Sequence, residues 1–237
     1  MLGTIEILGG LFSLIFVIIS VLIGVIIASK YFKHKRSEFL LVGLAWIGVS
    51  SPYWPSSLSI VLILTTNTTI SFELYIFLTL FFVPIFFTFW VMAFSKLVLR
   101  KGKVLFITIY IIEAVLFEIF FLIVFFTNPE ILGELKNPVD LKLKSFALIW
   151  MLIHVIFFLI TGLLFARESL KSEKPETRLK GKLLVLAFMF WTIGTSLDAL
   201  DPIDFISRII LIISAFSFYF GFILPNWLKS ILIKNND

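Results

Sequence analysis

Four ionisable side chains lie inside long apolar runs of this sequence, where a charge is costly and therefore informative. They are Glu113, Glu118, His154 and Asp198. A carboxylate that faces a histidine can hold a polar ligand or share a proton, and such a pair responds to pH. These residue types indicate a candidate site for ligand binding or proton transfer within the membrane.

Glu118 and His154 have the spacing expected of two side chains that meet between consecutive helices. If the runs 104–126 and 146–166 are antiparallel helices, a rise of about 1.5 Å per residue places both side chains about 12 Å below the same membrane surface. Consecutive helices are usually neighbours. We therefore predict that Glu118 and His154 can meet, either as a functional pair or as a plain hydrogen bond between helices.

The other ionisable residues suggest different environments. Glu113 lies about 140° around the helix from Glu118, near mid-membrane, so it must face the bundle and be protonated or hydrogen-bonded to Tyr, Trp or Ser. Asp198 begins an acidic turn that continues to Arg208. We expect this turn to form a hydrated cap, because the spacing of its carboxylates does not match a calcium-binding loop. The turn contains Asp201 and Asp204.

Prolines interrupt two of the apolar runs and suggest a pocket between them. Pro52 and Pro55 remove two backbone donors from the second run, and Pro84 removes one from the third. Kinks at matching depth leave room for a ligand, although simple packing distortion is the alternative. The candidate pocket residues are Tyr53, Trp54, Trp90, Trp191, Glu113, Glu118 and His154. Most of the 29 phenylalanines are expected to face lipid.

The composition of the 237-residue chain excludes a soluble protein. Hydrophobic residues make up 60% of it and charged residues only 15%, against about a quarter in a typical globular domain. The absence of cysteine excludes disulfides, Cys-based zinc sites and thiol nucleophiles. The residues before the first run carry no Lys or Arg, so we predict a retained helix and not a removable signal peptide.

Seven apolar runs are each long enough to cross about 30 Å of hydrocarbon. We predict an all-α integral membrane protein, with residues 1–237 forming a single seven-helix bundle. The predicted spans are 8–29, 39–64, 73–95, 104–126, 146–166, 182–200 and 206–226. The loops between them are too short to form a further domain.

The basic residues predict the orientation of this bundle. Sixteen of the 20 Lys and Arg residues follow the first, third, fifth or seventh run. Lys136, Lys142, Lys144 and Arg208 lie on the opposite side. The positive-inside rule then places the N-terminus outside and the C-terminus in the cytoplasm of a cell-membrane protein.

The basic loop after the fifth run is the main cytoplasmic feature of this topology. It reads as two helix extensions joined near Pro175, with Ser172 as a possible cap. We expect a solvated hairpin that contacts anionic lipid headgroups, or else a surface for a cytoplasmic partner. The residues expected to make these contacts are Lys171, Lys174, Arg178 and Lys180.

Several functions require residues or motifs that this sequence does not contain. The last run, 206–226, contains no lysine that could form a retinal Schiff base. The sequence has no phosphate-binding loop, nucleophile elbow or metal-ligand spacing. We therefore expect no catalytic residues, metal or cofactor, no nucleic-acid partner, and a protein that is not an enzyme.

The end of the last run carries a resemblance to a known module. Gly221 is followed by Pro225-Asn226-Trp227-Leu228-Lys229, which resembles the junction closing the seven-helix membrane sensor module found N-terminal to some bacterial and archaeal histidine kinases. The basic stretch 167–182 is also similar to an inner loop of such modules. The resemblance implies sensing but no defined ligand residues, and no output domain follows Lys229.

These observations predict a stand-alone membrane sensor, or receptor-like protein, that signals through a separate cytoplasmic partner and binds a small molecule. Two alternatives stay open. One is a small proton-coupled transporter or lipid-handling protein that uses Glu113 or Glu118 with His154. The other is a structural membrane subunit with no ligand, for which we expect a closed bundle interior.

Overall fold

The computed structural model describes residues 2–200 and 204–233, and only the backbone of Asp204. Within these residues, seven helical spans are long and apolar enough to cross a membrane, and each overlaps one predicted run. They are Thr4–His34, Ser37–Thr66, Phe72–Leu97, Lys103–Thr127, Ser145–Leu170, Pro175–Leu200 and Phe205–Ile223. The predicted seven-helix bundle is confirmed. Asp201, Pro202 and Lys234 lie outside the described residues.

Two of the spans are interrupted at their prolines, as predicted. The second span consists of α2 (Ser37–Gly48), one 3₁₀ turn (Ser51–Tyr53) and α3 (Trp54–Thr66), because Pro52 and Pro55 cannot donate backbone hydrogen bonds. The third span divides into α4 (Phe72–Leu80) and α5 (Phe82–Leu97). The break falls where the missing N–H of Pro84 leaves the Leu80 carbonyl without its helical donor.

The other spans are continuous helices that pack around these two. They are α1 (Thr4–His34), α6 (Lys103–Thr127), α7 (Ser145–Leu170), α8 (Pro175–Leu200) and α9 (Asp204–Ile223). The most extensive contact is between α8 and α9, and α1 packs against both α2 and α9. The first and last spans are therefore neighbours in the bundle.

The seventh span ends earlier than predicted. Helix α9 stops at Ile223, Leu224 adopts a left-handed φ of 44°, and Pro225 begins the short helix α10 (Asn226–Leu232). Pro225 ends α9 because it has no N–H to donate to Gly221. The run 206–226 thus contains a helix break that hydropathy alone does not reveal.

A β-hairpin covers one end of the bundle, and an all-α fold class does not include it. Strands β1 (Gly133–Asn137) and β2 (Asp140–Leu143) are antiparallel and follow a 3₁₀ turn at Pro129–Ile131. Leu132 and Val139 are buried beneath the hairpin. We call this the hairpin end. The opposite end, where α1, α5, α7 and α9 finish, is the basic end.

A layer of buried aromatic side chains crosses the middle of the bundle, and three of the phenylalanines belong to it and do not face lipid. The Trp46 ring stacks on Phe218 with centroids 3.5 Å apart. The Trp90 and Phe188 rings are 5.4 Å apart, and Phe158 contacts both. This aromatic layer consists of Trp46, Trp90, Phe158, Phe188, Trp191 and Phe218, all at most 3% exposed. It separates the two ends of the bundle.

Helices α1 and α2 approach each other closely at Gly43, and this contact leads to a prediction about stability. A Cβ on Gly43 would lie 2.5 Å from the Gly24 carbonyl oxygen and 2.7 Å from the Ala28 nitrogen, and neither backbone atom can move cheaply. We expect Gly43→Ala to force α1 and α2 apart and to lower the free energy of unfolding by about 1–3 kcal/mol. Thermal unfolding in detergent measures this loss.

The matched control for Gly43→Ala is Gly3→Ala. A Cβ there would meet only the Glu6 carboxylate, at an ordinary contact distance of 3.6 Å. Equal melting temperatures for the two variants would contradict the close packing of α1 on α2.

Candidate functional site

Arg208 is the centre of a polar cluster at the hairpin end. Its side chain is only 3% exposed, so the expected hydrated cap is wrong for this residue. Nη1 lies 2.6 Å from an Asp198 oxygen, Nη2 lies 3.3 Å from an Asp140 oxygen, and Nε donates to Ser13 Oγ at 2.7 Å. The guanidinium is buried because acceptors from α8, β2 and α1 replace its water.

Two cations and two carboxylates meet in this cluster. Lys136 Nζ lies 3.0 Å from the second oxygen of Asp140, so this carboxylate bridges Lys136 and Arg208. Ser207 donates a hydrogen bond to Asp198 at 3.1 Å. Opposite charges at these distances compensate one another in a low-dielectric interior. The cluster thereby ties the hairpin to three helices of the bundle, α1, α8 and α9.

A cavity of about 70 Å³ adjoins this charged cluster. Besides the charged groups, side chains with hydroxyl groups from α3, α4, α8 and the turn before α3 line it: Tyr53, Ser56, Tyr75, Thr79 and Thr195. The Arg208 guanidinium lies 5.9 Å from the centre of the Tyr53 ring, within reach of a cation–π contact. The cavity can hold a few water molecules or one small polar solute, but not a drug-sized ligand.

The predicted aromatic pocket between the kinked helices is much smaller than expected. A space of only about 10 Å³ remains at the helix breaks, lined by Tyr53, His154 and Trp191 among others. Trp54 instead donates to Ser50 Oγ at 3.2 Å, and Trp90 donates to Thr161 Oγ1 at 2.8 Å, away from either cavity. The Phe87 side chain also lines this space, against the His154 ring.

His154 pairs with Glu113 and not with Glu118. Glu113 accepts a hydrogen bond from Trp150 Nε1 at 2.7 Å, as expected of a carboxylate bonded to Tyr, Trp or Ser. Its other oxygen lies 3.5 Å from His154 Nε2. Neither carboxylate oxygen of Glu118 has a hydrogen-bond partner within residues 2–200 and 204–233.

The wrong pairing has a simple cause in the register of α6 against α7. Phe117 stacks on Trp150, and Tyr110 stacks on Phe157. In antiparallel helices, these two pairs place residue 113 of α6 opposite residue 154 of α7. The alignment assumed from the helix ends had placed residue 118 there. Helix α6 therefore lies five residues, or about 7 Å, further toward the hairpin end than expected. That displacement moves Glu118 beyond His154 and brings Glu113 level with it.

At the basic end, Glu176 joins α8 to α10. Its carboxylate lies 2.6 Å from Lys229 Nζ and 3.5 Å from Lys180 Nζ. Lys171 lies 2.7 Å from Glu168, whereas Lys174 and Arg178 are exposed. Of the four residues expected to contact lipid or a partner, two thus already have acidic neighbours.

Ser13, Lys136, Tyr75 and Asp140 belong to the hairpin-end site but were missed by sequence reasoning. Asp140 lies in what the sequence presents as a loop, 68 positions before Arg208. The available clue was Arg208 itself, a single arginine at the edge of an apolar run that needs acceptors from elsewhere.

The charged cluster generates the second prediction. Arg208→Gln leaves Asp140 and Asp198 facing each other without the guanidinium, so we expect the free energy of unfolding to fall by about 3–5 kcal/mol. Asp140→Asn should cost less, because Asp198 still pairs with Arg208. Thermal unfolding in detergent compares both with Lys142→Gln, which removes an exposed cation from the same hairpin. An Arg208→Gln protein as stable as Lys142→Gln would refute the central role of this network.

Comparison with protein-family models, with curated proteins and with solved structures finds no match for this chain. The resemblance to the sensor module of histidine kinases therefore remains a prediction from the sequence. The geometry of the site is the basis for a functional proposal.

Proposed function

We propose that this protein is a cell-membrane sensor that binds a small polar solute at the hairpin end and signals through a separate partner at the basic end. The observation that carries the proposal is the buried Arg208 cluster beside a hydroxyl-lined cavity. Buried charge networks are costly, and membrane proteins usually retain them at functional sites. The uneven distribution of basic residues supports an outside hairpin end and a cytoplasmic basic end.

The contacts of Arg208 suggest how a ligand would act. Among the contacts within the described residues, its contact with Asp140 is longer than its contact with Asp198, 3.3 Å against 2.6 Å. A solute that accepts a hydrogen bond from Arg208 competes most readily with Asp140. Because Asp140 belongs to β2, ligand binding then changes how firmly the hairpin is held. Occupancy of the cavity is thereby converted into a change of structure.

The helix pair α8–α9 offers a route from the site to the basic end. Asp198 and Arg208 join the two spans at one end. At the other end, Glu176 of α8 pairs with Lys229, just beyond α9. The pair is therefore connected by ion pairs at both ends. A movement of one helix against the other at the hairpin end then displaces α10.

The aromatic layer favours a sensor over a transporter. It lies between the hairpin-end cavity and the basic end, and its rings are buried and in contact with one another. A transported solute would have to displace several of these rings. A signal requires only that packed helices shift by about 1–2 Å.

Spin labels can test this proposal directly because the chain contains no cysteine. Spin labels are attached at Arg178→Cys and Ser230→Cys. We expect Asp140→Asn to change the distance between these two labels by about 1–2 Å, measured by pulsed electron paramagnetic resonance. Glu130→Gln, which neutralises an exposed carboxylate before the hairpin and outside the cavity lining, is the control and should leave that distance unchanged. Identical distance distributions in all folded variants would eliminate coupling between the two ends.

Proton-coupled transport is the second candidate, favoured by the contact of Glu113 with His154 and Trp150. Under the sensor proposal, liposomes containing the protein and a pH-sensitive dye should show no proton flux above protein-free liposomes. A flux that Glu113→Gln abolishes and Glu118→Gln preserves would support transport and contradict the sensor. Glu118→Gln is the matched control because it changes a carboxylate of the same helix that does not contact His154.

A further inference from the structure

A second and larger cavity, of about 370 Å³, lies at the basic end. Residues of the second, third, fifth, sixth and seventh spans line it, so it lies on the axis of the bundle. The aromatic layer separates it from the hairpin-end cavity. Its size falls within the range of sites that hold small organic ligands.

The polar lining of this basic-end cavity suits a phosphate group. Arg36 and Lys180 provide two cations, and Ser169 and Thr177 add hydroxyl donors. Guanidinium, ammonium and hydroxyl groups are the side chains that bind phosphate oxygens most effectively. Their arrangement around one cavity indicates an anion-binding site.

The acidic neighbours of these two cations do not neutralise them fully. Arg36 lies 3.7 Å from Glu38, which also lines the cavity, and Lys180 lies 3.5 Å from Glu176. Both distances are longer than a charge-assisted hydrogen bond. Glu176 is closer to Lys229, at 2.6 Å, and Lys30 adds a further positive charge that repels Lys180. An anion entering the cavity therefore relieves repulsion between cations.

The remaining lining is apolar. It consists of the side chains of Phe39, Val42, Leu97, Phe165, Leu184 and Phe222, with Gly221. Water in such a space has few hydrogen-bonding partners, whereas a hydrocarbon chain needs no hydrogen bonds there. A phosphate-binding part beside an aromatic and aliphatic part matches a ligand that is itself amphipathic.

We propose that this cavity binds an anionic phospholipid, with the headgroup phosphate between Arg36 and Lys180 and the start of an acyl chain against Phe39, Phe165 and Phe222. Basic pockets between transmembrane helices are suited to such headgroups. The proposal is independent of the sensing function and of any ligand at the hairpin end. It replaces diffuse contact of a basic loop with lipid by one defined site.

Native mass spectrometry of the full chain in neutral detergent tests this site. Phosphatidylglycerol should be retained in preference to phosphatidylcholine. Replacing both cations, by Arg36→Gln with Lys180→Gln, should weaken retention of phosphatidylglycerol by about tenfold or more. The control pair, Lys174→Gln with Arg178→Gln, removes one lysine and one arginine from exposed positions of the same end and should retain the lipid.

Two further probes distinguish the sources of phosphate. Inorganic phosphate and glycerophosphoglycerol, which is the same headgroup without acyl chains, should displace phosphatidylglycerol poorly because they leave the aromatic lining unfilled. Displacement by either at concentrations similar to that of the lipid would overturn the proposal in favour of a simple anion site. Equal losses in the two double variants would show that charge at this end acts without a defined cavity, and equal retention of both lipids would show that headgroup charge does not decide binding. Either result would overturn the proposal. Thermal unfolding of each variant confirms that it is folded.

Discussion

Arg208 carries its charge inside an apolar bundle, and that burial is tolerable only while acceptors surround the guanidinium. Ser13, Asp140 and Asp198 supply them from three segments that are distant in the sequence. Satisfying one side chain thus fixes the first, sixth and seventh spans relative to one another and holds the hairpin over them. The cavity beside the cluster exists because these elements meet around a charge and cannot close as an apolar core would.

The parts of the fold that depend on local chemistry could be predicted from the sequence. Each span needs about 20 apolar residues, so hydropathy located them all. Pro52, Pro55 and Pro84 lack a donor wherever they lie, so the helix breaks were predictable too. The partner of His154 was not, because the displacement of α6 against α7 depends on packing along both helices. Asp140 was missed for the same reason: nothing near it in the sequence marks it as the partner of Arg208.

The two ends of the bundle differ in their balance of charge and in the lining of their cavities. At the hairpin end, cations and carboxylates compensate one another within a small, hydroxyl-rich space. At the basic end, positive charge is in excess around a larger space with an aromatic lining. Between them, the stacked rings of Trp46 and Phe218 keep the two environments apart. The pair α8–α9 spans both, which is why the proposed coupling between the two ends is assigned to it.

The order of the partners of Arg208 along the chain has a consequence for biosynthesis. Ser13, Asp140 and Asp198 all precede Arg208 in the sequence, so the ribosome has made these three partners before the arginine appears. The last span therefore enters the membrane beside helices that already carry its partners. When this span docks against them, the guanidinium charge, which is costly in hydrocarbon, meets its partners.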